Sequence, residues 1–319
     1  MFPLSDRTLL LHLGYPKSGT TTLQAGLYRT APGIFFMGKT HDEKMADPII
    51  DRFRTMVNYG TLSHIRAQKT AITDKIAEIW QANGSNVALM SLEGLTNPFV
   101  DTHYTQPKDI FTKAEAIAEI LEGLGVTTRC LVTLRAQTEL MPSLFSQIFL
   151  QGFSSGLFKP NYDAFLDFML GDEIIGFGPD FCFDAYLDHL AVLFGADQVF
   201  AVSMKGVLAD TPGRDTGVMA RFMGLPEKDV ITMIQEGGRQ NVRNTGNKGR
   251  RMVMKSPGVN RFEDNTGLSL RRAAFGATAL LKEKRHRPAH WRLPDHSARI
   301  AAYYDASNAR LAERYGIAF

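Results

Sequence analysis

Short apolar runs alternate with amphipathic stretches along most of the chain. Thr8–Leu13 (TLLLHL), Asn86–Ser91 (NVALMS), Thr128–Leu134 (TRCLVTL) and Gln198–Ser203 (QVFAVS) are almost continuously hydrophobic. Strands buried on both faces read this way. Helical character separates them, in Thr20–Arg29, Ile50–Tyr59, Leu62–Ala82, Phe111–Leu124, a helix from about Glu139 to Phe149, and Phe183–Phe194. Ala31-Pro-Gly33, Asn83-Gly84, Gly125 and Gly195 stand where helices stop, as glycine and proline do. Beyond Asp215 the pattern turns helical, in Thr216–Met223, Glu227–Gln235, a stretch around Leu268–Lys284, and Ser297–Tyr315. Residues 237–266 have no period and are rich in Gly, Asn and Arg, so they read as a long loop. Strands alternating with helices predict an α/β fold: a three-layer parallel sheet with helices on both faces. The whole of 1–319 reads as one domain, with 267–319 its helical C-terminal part.

Composition limits the partners. The chain has 319 residues, 44% hydrophobic and 22% charged, enough for a sizeable core. A net charge of +3 is too small for bulk nucleic-acid binding, but it leaves room for a local basic patch facing one anion. Cys130 and Cys182 form no framework and read as buried free thiols in a reducing compartment. The N-terminus shows no signal-peptide pattern, and no apolar run is long enough to cross a bilayer. The expectation is a cytoplasmic protein with no membrane span. The sequence leaves its oligomeric state open.

The candidate chemistry starts after the first apolar run, in Gly14-Tyr-Pro-Lys-Ser-Gly-Thr-Thr-Thr22. Two glycines spaced Gly14-x4-Gly19 between a strand and a helix let the backbone approach a phosphate, with N–H groups of the helix start facing it. Thr20, Thr21 and Thr22 add hydroxyls, although three β-branched residues are poor helix starters. A nucleoside-triphosphatase loop places lysine directly after the second glycine. Here that position is Thr20, and the lysine lies inside the loop, at Lys17. The strand ends Ser91 and Leu134 carry no metal-holding aspartate. The pattern points to an anion held by protein charge rather than to Mg-ATP.

A second anchor follows the third apolar run. Arg135 ends that strand, and Ser143 is read in the first turn of the next helix. A guanidinium fork and a helix start can converge on one anion. Ligands of parallel sheets bind outside the carboxyl ends of the strands, where Gly14 and Arg135 both fall. Transfer to a hydroxyl or amine also needs a base near the reacting atom. Glu93, after the second run, stands at the same end of the sheet.

GYPKSGTTTLQ resembles the 5′-phosphosulfate loop of the sulfotransferases that use 3′-phosphoadenosine 5′-phosphosulfate (PAPS), in their bacterial and carbohydrate-type branch. The resemblance implies a P-loop nucleotide-binding, sulfotransferase-like fold and PAPS as co-substrate, released as 3′-phosphoadenosine 5′-phosphate (PAP). It implies that Lys17 stabilises the leaving phosphate, with Pro16, Ser18, Gly19, Thr20 and Thr21 forming the cradle. Arg135 and Ser143, eight residues apart, match the family's 3′-phosphate motif. Ser91-Leu-Glu93 is similar to an S-x-E that related enzymes carry after this strand, which implies Glu93 as base.

The cytosolic branch uses a histidine instead. His41 and His103, in loops, could line an acceptor pocket, whereas His12 reads as a hydrogen-bonded wall residue and His64 as lying on a helix face. His189 and His286 are isolated, and no metal site is evident. Lys248, Arg250, Arg251 and Lys255 are solvated charges or close over the donor, and Arg243 is an equal candidate for contact. Residues 33–53, 96–106 and 152–178, with Phe153, Phe158, Tyr162 and Phe165, read as the wall for a small-molecule or glycan acceptor. Lipid and peptide acceptors also remain open. A P-loop kinase or other phosphoryl transferase, and a non-catalytic nucleotide-binding module, are the competing readings.

Overall fold

The apolar runs form strands because their side chains are covered on both faces. A computed structural model gives the fold and describes residues 4, 6–38, 47–97, 108–154, 161–171, 177–209, 211–237 and 294–319. Strand β1 (Thr8–Gly14) turns into helix α1 (Thr20–Leu23), which continues as a π-helical turn, Gln24–Tyr28. There follow β2 (Ile34–Phe36), α2 (Pro48–Tyr59), α3 (Leu62–Asn83) and β3 (Val87–Ser91). Next come α4 (Ile110–Glu122), β4 (Thr127–Leu134), α5 (Gln137–Ser154), α6 (Tyr162–Leu170) and α7 (Phe183–Phe194). The series ends with β5 (Val199–Ser203), α8 (Met204–Val207), α9 (Arg214–Met223), α10 (Glu227–Gly237) and α11 (Pro294–Tyr315). By contacts the chain divides into two compact units, Met1–Gln240 with Asp295–Phe319, and Asn241–Pro294. The elements named here belong to the first, α11 from Asp295 onward.

The five strands lie in the order β2-β3-β1-β4-β5, and every pairing is parallel. The fold is α/β. Strand side chains alternate between faces. Leu10, Leu89, Leu131 and Val202 point to one side, into a core with Leu23, Leu27 and Tyr28 and with Met219, Phe222, Val230 and Ile234. Helix α7 packs against β4 and β5, and α4 packs on α7. Cys130, one residue before Leu131, is fully buried on that other face, and burial pushes its thiol far above the usual range. The order reverses at β1, whose neighbours β3 and β4 connect to opposite halves of the sheet. The crevice at such a reversal is where open α/β sheets take ligands.

Several boundaries differ from the sequence reading. The three-residue edge strand β2, paired with Val87, Ala88 and Leu89, lies in 33–53, where no strand was expected. Within 152–178 the chain forms α6, and Phe145 stands 5.3 Å from both Tyr162 and Phe165. Those two aromatics are buried packing residues rather than an open wall. Cys182 is half-buried at the start of α7. Tyr304 and Leu311 on α11 are buried. Arg310 and Ser307 of α11 both bond Asp184, which is 3% exposed at its side chain. The expected helix Leu268–Lys284 and the loop from 238 onward lie outside the described residues. No helix among the described residues is long and apolar enough to cross a membrane.

Helix α10 reaches the π-helical turn through two glycines. A Cβ on Gly237 would stand 2.3 Å from the Gly26 Cα. In an open helix, Gly→Ala stabilises by up to about 1 kcal/mol. Here the added methyl meets backbone that cannot move aside, so Gly237→Ala is expected to destabilise by about 1–3 kcal/mol. Chemical denaturation reads the sign.

Candidate functional site

The chain leaves β1 through a tight turn. Tyr15 O accepts the Ser18 N–H at 3.1 Å and the Ser18 hydroxyl at 2.7 Å. Pro16 at the second position fixes its own φ, and Lys17 at the third has φ +67°, the type II pattern. Glycine is the ordinary occupant of that third position, and a lysine there carries local strain. Gly19 is left-handed too, at φ +80°, and a Cβ on it would meet the Met204 methyl at 2.7 Å. Gly14 is required for space instead. A Cβ there would stand 2.0 Å from the Thr20 methyl and 2.9 Å from the Thr133 hydroxyl.

This geometry separates the loop residues. Lys17 is half-exposed, Thr21 exposed, and Pro16, Ser18 and Thr20 buried. Both donors of Ser18 are taken up by the Tyr15 carbonyl. The Lys17 ammonium and the N–H groups of the first turn of α1 remain the loop's candidates for meeting an anion.

Beneath the turn lies a buried polar row. His12, Ser91 and Thr133 each follow an inward leucine by two residues, on three adjacent strands and on the same face of the sheet. The His12 Nδ1 stands 2.7 Å from Ser91 Oγ, and its Nε2 3.2 Å from Thr133 Oγ1. Thr133 Oγ1 lies 2.9 Å from Ser18 Oγ. Gln24, turned inward on the π-helical turn, donates to Ser91 Oγ at 2.9 Å and to Ser91 O at 3.2 Å. Tyr28 stacks edge-on to the imidazole at 5.0 Å. Burial lowers the His12 pKa to about 3, so the ring is neutral at physiological pH. The expected wall histidine is therefore the centre of this row. No motif marks Gln24 or Thr133 in the sequence; the one signal is a polar residue, Ser91 or Thr133, near the end of an otherwise apolar run.

Arg135 comes back to the loop from β4. Its Nη1 donates to Lys17 O at 3.3 Å and its Nε to Glu139 Oε2 at 3.0 Å, with the side chain 31% exposed. Ser143 is buried, and its carbonyl accepts from Ser146 Oγ at 2.8 Å. It lies in the second turn of α5, not the first. Helix α5 starts earlier than expected because Gln137 is held by Phe181 O at 3.1 Å and by a reciprocal amide pair with Asn308 of α11.

Glu93 opens a short 3-10 turn, Glu93–Thr96, after β3. Its side chain lies outside the described atoms. The turn is tied to the loop by Thr96 Oγ1, which donates to Gly14 O at 2.7 Å. The buried Lys113 ammonium donates to Asn97 O at 2.7 Å. Burial lowers the Lys113 pKa to about 8, against the attraction of Asp180, and raises that of Asp180 to about 7. Asp180 in turn accepts the Tyr15 hydroxyl on its backbone carbonyl at 2.8 Å. The turns bearing Lys17 and Glu93 thus share one buried support.

Of the remaining candidates, His64 is exposed on α3, and His189 Nε2 stands 3.8 Å from Glu115. His41, His103, His286, Phe153, Phe158, Arg243, Lys248, Arg250, Arg251 and Lys255 lie outside the described residues or atoms. Among the described residues no three His, Cys, Asp or Glu side chains gather to hold a metal. The strain at position 17 yields a test. Lys17→Gly is expected to be at least as stable as the parent, with a gain of up to about 1 kcal/mol. A loss above about 1 kcal/mol in denaturation would show that the lysine side chain holds the loop together.

No family model matches the sequence, and no curated protein does. Among solved structures, the chain is similar to a sulfotransferase from Alicyclobacillus acidocaldarius, with 13% identity, 85% of this chain and 99% of that chain covered, and a TM-score of 0.42. At that degree of overlap, the chemistry of this chain rests on its own residues.

Proposed function

We propose that the chain is a sulfotransferase. It moves the sulfuryl group from PAPS to a hydroxyl or amine of a small-molecule or glycan acceptor, by in-line displacement without a metal. The observation that carries the reading is the 3.3 Å contact between Arg135 Nη1 and Lys17 O. Two anion-binding anchors, 118 residues apart in sequence, meet at the carboxyl end of β1 and β4. A ligand with a single phosphate needs one such anchor. A donor with anionic groups at both its 5′ and 3′ ends uses two.

The donor, when bound, supplies the sulfuryl group and the leaving phosphate. Lys17 and the first-turn N–H groups of α1 oppose the negative charge that grows on the phosphate oxygen as its bond to sulfur breaks. Gly19 lets the backbone come close, with Pro16 and Ser18 setting the turn and Thr20 and Thr21 at the helix start. Arg135 offers a planar fork to the 3′-phosphate, which competes with Glu139 for it, and Ser143 adds to that end. Glu93 takes the proton that the acceptor loses as its new bond to sulfur forms.

Thermal shift tests the reading. A ligand that binds only the folded state stabilises by about 2.7 kcal/mol at a hundredfold excess over Kd. For a chain of this size PAP should raise the Tm by about 5 °C at that excess. ATP at the same concentration should raise it less. A preference for ATP, or indifference to the 3′-phosphate, defeats the proposal.

A further inference from the structure

The direction of every hydrogen bond in the buried polar row can be deduced. A carbonyl only accepts, so the single Ser18 hydroxyl proton points at Tyr15 O. The 2.9 Å contact between Ser18 and Thr133 then requires Thr133 to donate and Ser18 to accept. With its proton so placed, Thr133 Oγ1 must accept at 3.2 Å from His12 Nε2, which therefore carries the ring proton. A neutral imidazole has one N–H. Its Nδ1 is bare and accepts from the Ser91 hydroxyl at 2.7 Å. Ser91 Oγ accepts in turn from the Gln24 amide at 2.9 Å. The chain runs one way, from Gln24 through Ser91, His12, Thr133 and Ser18 to the Tyr15 carbonyl.

We propose that His12, fixed as the neutral Nε2–H tautomer, is the positioning residue of the anion loop. It acts through Thr133 and Ser18 and touches no ligand itself. The tautomer matters because the opposite one would set an N–H against the Ser91 proton and leave Thr133 with two acceptors for its one proton. The chain ends where the strain is. Both Ser18 donors close on Tyr15 O, which completes the turn that holds Lys17 at φ +67°. Aligned bonds in a buried chain polarise one another, so losing an inner link weakens the last one. His12 is fully buried and meets the edge of Tyr28, so water cannot substitute for a missing partner.

The proposal rests on the anion-loop part of the proposed function, and its test separates the two. Nitrogen-15 NMR of the His12 ring reads the tautomer in the full chain without ligand. Binding is measured with PAP and with inorganic pyrophosphate, in the parent, Thr133→Val and Thr133→Ser. The expected ring has a bare Nδ1 and a protonated Nε2. Thr133→Val keeps the shape of the side chain and is expected to lose that tautomer preference and bind both probes about tenfold more weakly. Thr133→Ser should restore both properties. An Nδ1–H ring in the parent overturns the proposal, as does unchanged affinity in Thr133→Val. A parent that binds pyrophosphate but not PAP defeats the sulfotransferase reading alone, and Thr133→Val still decides the role of His12. A parent that binds neither probe defeats both. If Thr133→Val does not fold, Ser91→Ala breaks the chain at its other end and is judged by the same two readouts.

Discussion

The hydrogen-bonded row through His12 is the constraint on which the rest of the site depends. Three parallel strands deliver polar side chains near the carboxyl end of an otherwise apolar face, and an unsatisfied polar group at that depth costs about 1–3 kcal/mol. The arrangement is stable because every member of the row has a partner. The row therefore fixes the relative height of β1, β3 and β4 at their carboxyl ends. From those ends spring the loop with Lys17, the turn with Glu93, and Arg135. A site assembled from three strand ends needs such a common support, and a charged imidazole would not tolerate this burial.

Above the row the backbone takes a conformation that the residue at position 17 does not favour. A glycine in the third place of the turn would relieve the strain. A lysine there leaves a half-exposed cationic side chain in the loop, while the serine after it is turned inward. Natural chains hold residues in sparsely populated conformations where the surroundings over-determine them. Here the surroundings are the two bonds from Ser18 to Tyr15 O, the Tyr15 hydroxyl on Asp180, and the contact of Arg135 with Lys17 O. Under the proposed function, that strain keeps the ammonium where charge develops on the leaving phosphate.

Much of this was legible in the sequence. Near-continuous apolar runs gave β1, β3, β4 and β5 to within a residue or so, because burial on both faces leaves little room for polar residues. The edge strand β2 has three residues, too few for any period. Helix α6 lay in an aromatic-rich segment where core packing and a binding wall look alike. Ser143 was placed in the first turn of its helix, but that helix begins at Gln137 through contacts with Asn308, 171 residues away. No local pattern encodes such a partner. The family resemblance implied a cradle role for Ser18, whose hydroxyl is turned to Tyr15 O. The left-handed turn at Lys17 reversed its direction, and sequence does not reveal the sign of φ at a non-glycine residue.

Under the proposed function, the loop and Arg135 grip the two ends of one donor. A calorimetric double-mutant cycle measures this directly, by titrating PAP and adenosine 5′-phosphate into the parent and into Arg135→Ala. The parent is expected to bind PAP about 10- to 100-fold more tightly than the ligand without the 3′-phosphate. In Arg135→Ala most of that ratio should vanish while adenosine 5′-phosphate binds much as before. A 3′-phosphate contribution equal in both proteins, or absent from the parent, would contradict the claim.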